Sequence, residues 1–513
     1  MKRLLCILLA LILVASMFAC GGSGEQEQTG TDLAGKFAVG YGKADISPQQ
    51  SVYLRGYGEP TNERMSTGVS EPLYTTCVAI TDETGNTALL ISLDLLNCDR
   101  ALAQPLRKEF SEQYGIPYDN IMVCCSHNHS GPDTGDNAYH LYLAEQIRAA
   151  VKTAMETRVP ATMETAFTRP EGFNFVRHYL LIDGTFMGEG VGTIPNNQIY
   201  GHYGKADNLL QLVRFNREGD KPVVMMNWQG HPRGTDPNPH TVATPNYPGI
   251  MRQTVEEGLD CYGAFFLSGS GNVNNNSQIK SEVSHANYYE LGKALGEEAI
   301  AATANFKPVN TGNIQAAVTY LDELGNEKAD TGIPLHALSF GDVAFAFAPF
   351  EIFDTNAMGV KDNSDFKMTF YSSCSNESHS YLPTDPSFDW VHHYEVRVTK
   401  FPKGTAQKVE DLLSGLLDKC FAASGNTVTE KEPGYVTPEF VPVNDGITYT
   451  NPAAGDTSAY IPVENGFCQI MLLDGAVIRQ FLTINAEVAQ QVLTESTVQI
   501  LRNEQDVIVG VAK

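Results

Sequence analysis

No two cysteines of this chain stand in C-x-x-C spacing. That absence excludes a zinc ribbon and a dithiol redox motif, both of which need the paired spacing. The chain nevertheless holds 10 cysteines, of which Cys6 and Cys20 lie in the leader. Most of the others (Cys77, Cys98, Cys124, Cys125, Cys261, Cys374, Cys420 and Cys468) sit in apolar runs, where a thiol packs as a small hydrophobe. An exported chain is able to form disulfides, but the spacing assigns no pairing. Positive charge is also scarce: 35 Lys and Arg stand against 60 Asp and Glu, a net charge of -25. A phosphate backbone is repelled by such a surface, so nucleic acid is excluded as a partner. The balance suits a soluble domain held outside a cell. There is no internal repeat, which removes solenoids and repeat arrays. What remains is 513 residues with an ordinary 42% hydrophobic content, enough for a large core and more than one domain.

The N-terminus carries a targeting signal. Met1-Lys2-Arg3 is basic and residues 4–18 are an almost continuous apolar run, short for a membrane span. The run ends Ala19-Cys20-Gly21-Gly22, which resembles a bacterial lipobox with Cys20 as the lipidated first residue of the mature chain. The alternative is an ordinary secretory signal. Residues 21–36 are rich in Gly, Ser, Thr, Gln and Glu without apolar periodicity, and read as a flexible tether. The expected division is 1–20 signal peptide, 21–36 tether, 37–425 main domain and 435–513 a small β-rich C-terminal unit. The expected location is the outer face of the bacterial membrane, or secreted.

Along the main domain, apolar strand-like runs alternate with helical periodicities at 101–114, 138–158, 250–259, 284–304 and 403–423. That alternation predicts an α/β fold of mixed β-sheets with flanking helices. Hairpins are predicted around Asp82-Glu83-Thr84-Gly85-Asn86 and Arg217-Glu218-Gly219-Asp220.

The chain is organised around Ser126-His127-Asn128-His129-Ser130-Gly131-Pro132-Asp133, which follows the apolar run Ile121-Met122-Val123-Cys124-Cys125. Two imidazoles thus arrive at the carboxyl end of a strand, where α/β proteins gather ligands. His231 follows a second such strand, Glu351 a third, and Tyr381 comes after a fourth. Two imidazoles, a carboxylate and a phenol suit a zinc ion with a position left open for water. No spacing ties the four together, and a strand-end histidine also serves as a hydrogen-bonded loop anchor.

Taken in order, these segments resemble the neutral/alkaline ceramidase family. Ser126 to Pro132 is similar to that family's Ser-His-Thr-His-Ser-Gly-Pro motif. Asn227-Trp228 with His231 resembles its second zinc-histidine segment, and Thr244-Pro245-Asn246-Tyr247-Pro248-Gly249 the loop after it. Pro349-Phe350-Glu351 resembles its zinc-glutamate segment, and Tyr381-Leu382-Pro383-Thr384 with Tyr394-Glu395 its zinc-tyrosine segment. The resemblance implies a zinc hydrolase domain with Zn(2+) held by His127, His231, Glu351 and Tyr381. It implies cleavage of the amide bond of amphiphilic N-acylated (sphingo)lipids by attack of zinc-bound water. His129 and Tyr394 are implied to hydrogen-bond substrate or intermediate, with His129 the candidate for proton transfer. Arg177 matches an active-site arginine; its alternative, like that of Tyr394, is ordinary packing. Asn274 falls where the family has its active-site serine and cannot act as a hydroxyl nucleophile, though it can donate a hydrogen bond. Ser277 is near but out of register. Asp94, Asp133 and His240 either orient the imidazoles or bond their own loops. Two rival functions remain: a zinc hydrolase of an ester or non-sphingolipid amide, and a surface lipoprotein that binds a ligand or glycan without catalysis. No protein partner is implied.

Overall fold

The computed structural model describes residues 33–513, apart from 59–63, 136, 182–185, 189–198, 234–239, 280–281, 283–284, 329, 390–393, 428–442, 445, 464–465, 504–506 and 513. The signal peptide, Cys20, nearly all of the tether and most of the 425–434 boundary lie outside the described residues. Among the described residues, no helix is long and apolar enough to cross a membrane.

Two β-sheets lie face to face and helices cover both outer faces. The first sheet is built from β1 (Ala38–Asp45), β2 (Tyr74–Thr81), β3 (Thr87–Leu93), β4 (Ile121–Cys125), β5 (Val159–Thr168), β6 (Leu210–Arg217), β7 (Val223–Trp228) and β8 (Tyr262–Leu267). Their spatial order is β8-β7-β6-β5-β1-β2-β3-β4, with Lys307–Val309 added beside β5. Pairing is antiparallel inside the sheet, but β3 with β4 and β7 with β8 run parallel. The second sheet contains β9 (Ile314–Leu321), β10 (Ile333–Phe340), β11 (Val343–Phe347) and β12 (Met368–Ser372), with β11 and β12 parallel.

The residue-by-residue alternation of side chains in a strand builds the layers. In β4, Met122 and Cys124 face the second sheet, while Ile121, Val123 and Cys125 face helices. In β11, Val343, Phe345 and Phe347 fill the space between the sheets, and Ala344 and Ala346 face outward. Strands buried on both sides read as unbroken apolar runs. The outer layer of the first sheet is α1 (Arg100–Tyr114) and α2 (Asn137–Glu156) over one half, α3 (Asn246–Leu259) and α4 (Tyr288–Ala302) over the other. On the second sheet lie α5 (Asp354–Asn363) and α6 (Thr405–Ser424). Helix α2 rides on the β1 backbone: a Cβ at Gly42 would stand 1.9 Å from the Ala150 carbonyl oxygen. Only glycine allows that approach.

The mixed α/β class is as the sequence predicts, and so are both hairpins. Two helices differ. Helix α3 begins at Asn246, four residues ahead of the expected start, and runs through Pro248. A proline in the first turn lacks only an N–H that has no intrahelical acceptor there, so it does not break the helix. Helix α5 has no strong apolar period; Ala357 and Val360 are its buried apolar side chains, and Asp354, Asn356 and Lys361 are buried with polar partners. At the C-terminal end, the hairpin Cys468–Asp474/Val477–Thr483 and the helix Ala486–Thr494 enclose a core including Ile470, Leu472, Phe481 and Val492.

Candidate metal centre

The parallel strand pairs point their carboxyl ends to one place. The segment after β4 brings His127 and His129, and the segment after β7 brings His231. The loop after β8 brings Asn274, and the turn after β11 brings Glu351. Such a convergence is where open α/β sheets bind ligands.

The double-histidine turn is fixed by its own backbone. Ser126 N donates to Leu93 O and Asn128 N to Leu95 O, continuing along the end of β3. The Asn128 side chain donates to Asp94 O and Thr244 O and accepts from Ser130 N. Between these anchors His127 adopts φ of 59°. Left-handed backbone is unfavourable for a residue with a Cβ, and such strain collects at functional positions. On the other side of the turn, Cys374 and Asn376 also have positive φ. Asn376 bonds both N and O of Val123, closing the free edge of β4.

His127 Nε2 lies 3.1 Å from Glu351 Oε2, and His231 Nε2 lies 4.0 Å from the same oxygen. His129 Nε2 is 2.8 Å from His231 Nε2. The three imidazoles are buried, with ligand atoms within 4.8 Å of one another, a group able to hold a metal ion. Two of them have their far nitrogens set by backbone: His127 Nδ1 by Leu96 O at 3.1 Å and His231 Nδ1 by Ser270 O at 3.2 Å. A carbonyl at Nδ1 takes its proton and leaves Nε2 with a free lone pair. His127 Nε2 and Glu351 Oε2 are buried and face each other without a well-aligned hydrogen bond. Two buried acceptors facing each other suit a cation.

Electrostatics agree. Burial, then the neighbouring charges of His127 and Arg233, hold the His129 imidazole well below its ordinary range. Burial and the charges of His127 and Arg177 do the same to His231. Burial works against a charge on His127 too, but the Glu351 carboxylate and Cys374 together outweigh it and raise that imidazole. Burial would raise the Glu351 carboxyl, yet His127 and Tyr381 more than offset it. The carboxylate thus attracts one positive charge to this spot, and a metal cation can take the place of that proton.

Tyr381 stands opposite Glu351 in the parallel ladder Glu351–Ile352/Tyr381–Leu382. Tyr394 packs edge-on to it, with ring centroids 5.8 Å apart. A Cβ at Gly271 would stand 2.5 Å from Glu351 O, so glycine lets the loop after β8 close on this ladder. Asn274 is buried and bridges to His231 through the backbone. Its Oδ1 lies 3.5 Å from Arg177 Nη1. The Arg177 guanidinium otherwise donates to Glu395 Oε1 from Nε at 2.6 Å and to Gly271 O from Nη2 at 2.6 Å. All eight residues singled out from the sequence therefore lie in one neighbourhood. Ser277 does not: its hydroxyl contacts His202 Nε2 at 3.0 Å.

Three residues considered as imidazole partners serve other groups. Asp94 forms a paired bridge to Arg252, with both contacts 2.7 Å. Asp133 takes Arg55 at 2.9 Å. His240 stacks on Tyr57 with centroids 4.3 Å apart. The groups that orient the imidazoles are main-chain carbonyls and, at 3.4 Å from His127 Nδ1, the Cys374 sulfur. Carbonyls carry no side-chain signature, so sequence reasoning missed them. Glu395, wholly buried against Arg177 and 3.4 Å from His178 Nε2, was also missed in that role. Its position beside Tyr394 was the available signal.

The architecture and this cluster define a class: a mixed α/β fold with a buried three-histidine group able to hold a metal ion. Residues 37–166 match the family model for neutral/alkaline non-lysosomal ceramidase, N-terminal. A solved ceramidase complexed with C2 superposes with a TM-score of 0.62 at 14% identity, over 85% of this chain and 84% of the other. The crystal structure of neutral ceramidase from Pseudomonas aeruginosa gives 0.61 at 13% identity, over 87% and 92%. No curated protein matches the chain by sequence. The resemblance drawn from the motifs is thus borne out, by sequence over residues 37–166 and by fold over most of the chain.

Proposed function

We propose that the protein is a zinc-dependent amidohydrolase that cleaves the amide bond of N-acylated lipids. The observation that carries this reading is the approach of His127 Nε2 and His231 Nε2 to Glu351 Oε2, with His127 and Glu351 atoms buried and unpaired. Two imidazoles, a carboxylate and the neighbouring Tyr381 phenol are the donor set zinc accepts, with room for water or substrate. Zinc bound there supplies Lewis acidity toward the acyl carbonyl and toward water.

The chain's own residues do the rest. Leu96 O and Ser270 O hold the His127 and His231 rings with Nε2 turned inward. His129, neutral and beside the centre, takes the proton of the attacking water at an imidazole nitrogen and gives it to the leaving nitrogen. The C–N bond breaks, leaving a carboxylic acid and a free amine. Charge that develops on the acyl oxygen is met by the Tyr394 hydroxyl and by the Asn274 amide, held beside Arg177. Cys20, as a lipidated residue, holds the enzyme at the outer face of the membrane, where amphiphilic substrates partition.

Metal analysis of the purified full chain tests the reading. Stoichiometric zinc is expected, lost in the His127→Ala/His231→Ala double variant together with hydrolysis of a panel of N-acyl amides that includes short-chain ceramide. Absence of zinc, or zinc unchanged in the double variant, sinks the enzyme reading and favours a binding lipoprotein. Cys20→Ala is expected to move the protein from the membrane to the soluble fraction.

A further inference from the structure

Most arginines around the centre are answered by a partner. Arg177 is paired with Glu395, Arg252 with Asp94 and Arg55 with Asp133. Arg64 donates to the backbone oxygens of His129 and His240. Arg233 differs. Among the described residues its guanidinium has no acidic partner, and its Nε, like that of Arg252, is buried without a hydrogen-bond acceptor. Arg233 N donates to His231 O at 2.7 Å, two residues past a proposed ligand. The guanidinium lies 5.9 Å from the centroid of the Tyr57 ring, and that ring packs edge-on to His129 at 5.3 Å. Its charge is felt at both His129 and His231.

A buried donor of a charged group left without an acceptor is costly unless a ligand supplies one. The planar guanidinium fork matches a carboxylate with two parallel N–H···O bonds. The uncharged dihydroxy base of a ceramide offers no such group. Asn274, in place of a hydroxyl at the same centre, is an independent departure from ceramide chemistry.

We propose that Arg233 determines specificity at this site and that the preferred substrate is an N-acyl amide whose amine part bears a carboxylate, of the N-acyl amino acid type. The inference rests on the amidohydrolase reading above. Water adds across the amide: the acyl carbon gains OH, the nitrogen gains H, and the products are a fatty acid and a free amino acid. Arg233 holds the carboxylate while the amide lies at the centre one residue pair away.

The experiment compares N-lauroylglycine with N-lauroylethanolamine, matched in chain length and differing in charge, on the zinc-loaded full chain. The glycine amide is expected to exceed the ethanolamide in kcat/KM by roughly tenfold or more, the worth of one charge-assisted pair. Arg233→Gln is expected to narrow that gap, chiefly by raising KM for the glycine amide, with zinc content retained; Arg233→Lys keeps part of it. An equal or reversed preference in the wild type overturns the inference, as does an Arg233→Gln variant that weakens both amides alike. If neither amide is cleaved, the hydrolase reading falls by itself. Calorimetric binding of N-lauroylglycine then decides the role of Arg233: binding lost in Arg233→Gln supports it, and equal binding overturns it.

Discussion

The metal end of the sandwich and the C-terminal hairpin region solve the same packing problem in opposite ways. In the C-terminal region the positive-φ turns among the described residues are glycines: Gly446, Gly455, Gly466 and Gly475. No described side chain beyond Ser414 leaves a buried polar atom unpaired. At the metal end the left-handed positions fall on His127, Cys374 and Asn376. Unpaired buried atoms gather there: His127 Nε2, His129 Nδ1, Arg233 Nε and Glu351 Oε2. Strain and unpaired polar atoms cost roughly 1–3 kcal/mol each and persist only where the surroundings enforce them. The C-terminal region is arranged for stability, and the metal end carries features that only a ligand relieves.

The largest expected effect follows directly. His231→Ala is expected to lower bound zinc and hydrolysis to background, while the urea midpoint of the metal-free protein moves less than in a core truncation, because a neutral imidazole with one bond to Ser270 O is lost rather than an apolar core contact. A collapse of the urea midpoint with zinc retained would reverse the comparison. Leu472→Ala is the converse. Leu472 is 0% exposed in the C-terminal core, and its truncation is expected to cost about 2–5 kcal/mol in urea unfolding. Zinc content at 25 °C should remain that of the wild type. Loss of zinc in that variant would show the two regions to be energetically one.

The layers were legible from sequence wherever the alternation of a strand was strict. Val343-Ala344-Phe345-Ala346-Phe347 states both of its faces, and His127, His231 and Glu351 could be read as strand-end polar groups. Helix α5 was not legible, because its buried face includes Asp354, Asn356 and Lys361, whose burial depends on Asn272, Glu410 and Asp207 far away in the chain. The roles of Asp94 and Asp133 were hidden for the same reason: a carboxylate near a strand end has no local mark that says whether an imidazole or an arginine will meet it. Nor can a residue sequence display the Leu96 and Ser270 carbonyls that orient the rings. Arg233 carries no mark of a role in the sequence, since its lack of an acidic partner exists only in three dimensions.

The next effect concerns protons. In the metal-free protein at pH 6, the His129 and His231 imidazoles are expected to be neutral and His127 protonated. A histidine in solution, with a pKa of about 6.5, would be mostly charged there. Burial opposes the charge on all three, and Glu351 with Cys374 reverses that for His127. Nitrogen NMR of histidine-labelled protein reads the protonation directly. A protonated His231 at pH 6 would remove the preformed lone pair on which the metal end depends.

The smallest effect sharpens the contrast from the other side. Ile478 is 67% exposed and stands opposite Leu473 in the C-terminal hairpin, on the face away from Ile470, Leu472 and Phe481. An apolar side chain on that face adds area without packing. Ile478→Ser is therefore expected to change stability by less than about 0.5 kcal/mol, against the severalfold larger cost of Leu472→Ala one strand face away. Urea unfolding of the two variants side by side makes the measurement. A cost for Ile478→Ser approaching that of Leu472→Ala would mean that the outer face is covered in solution, and the C-terminal region would then owe its stability to more than its own core.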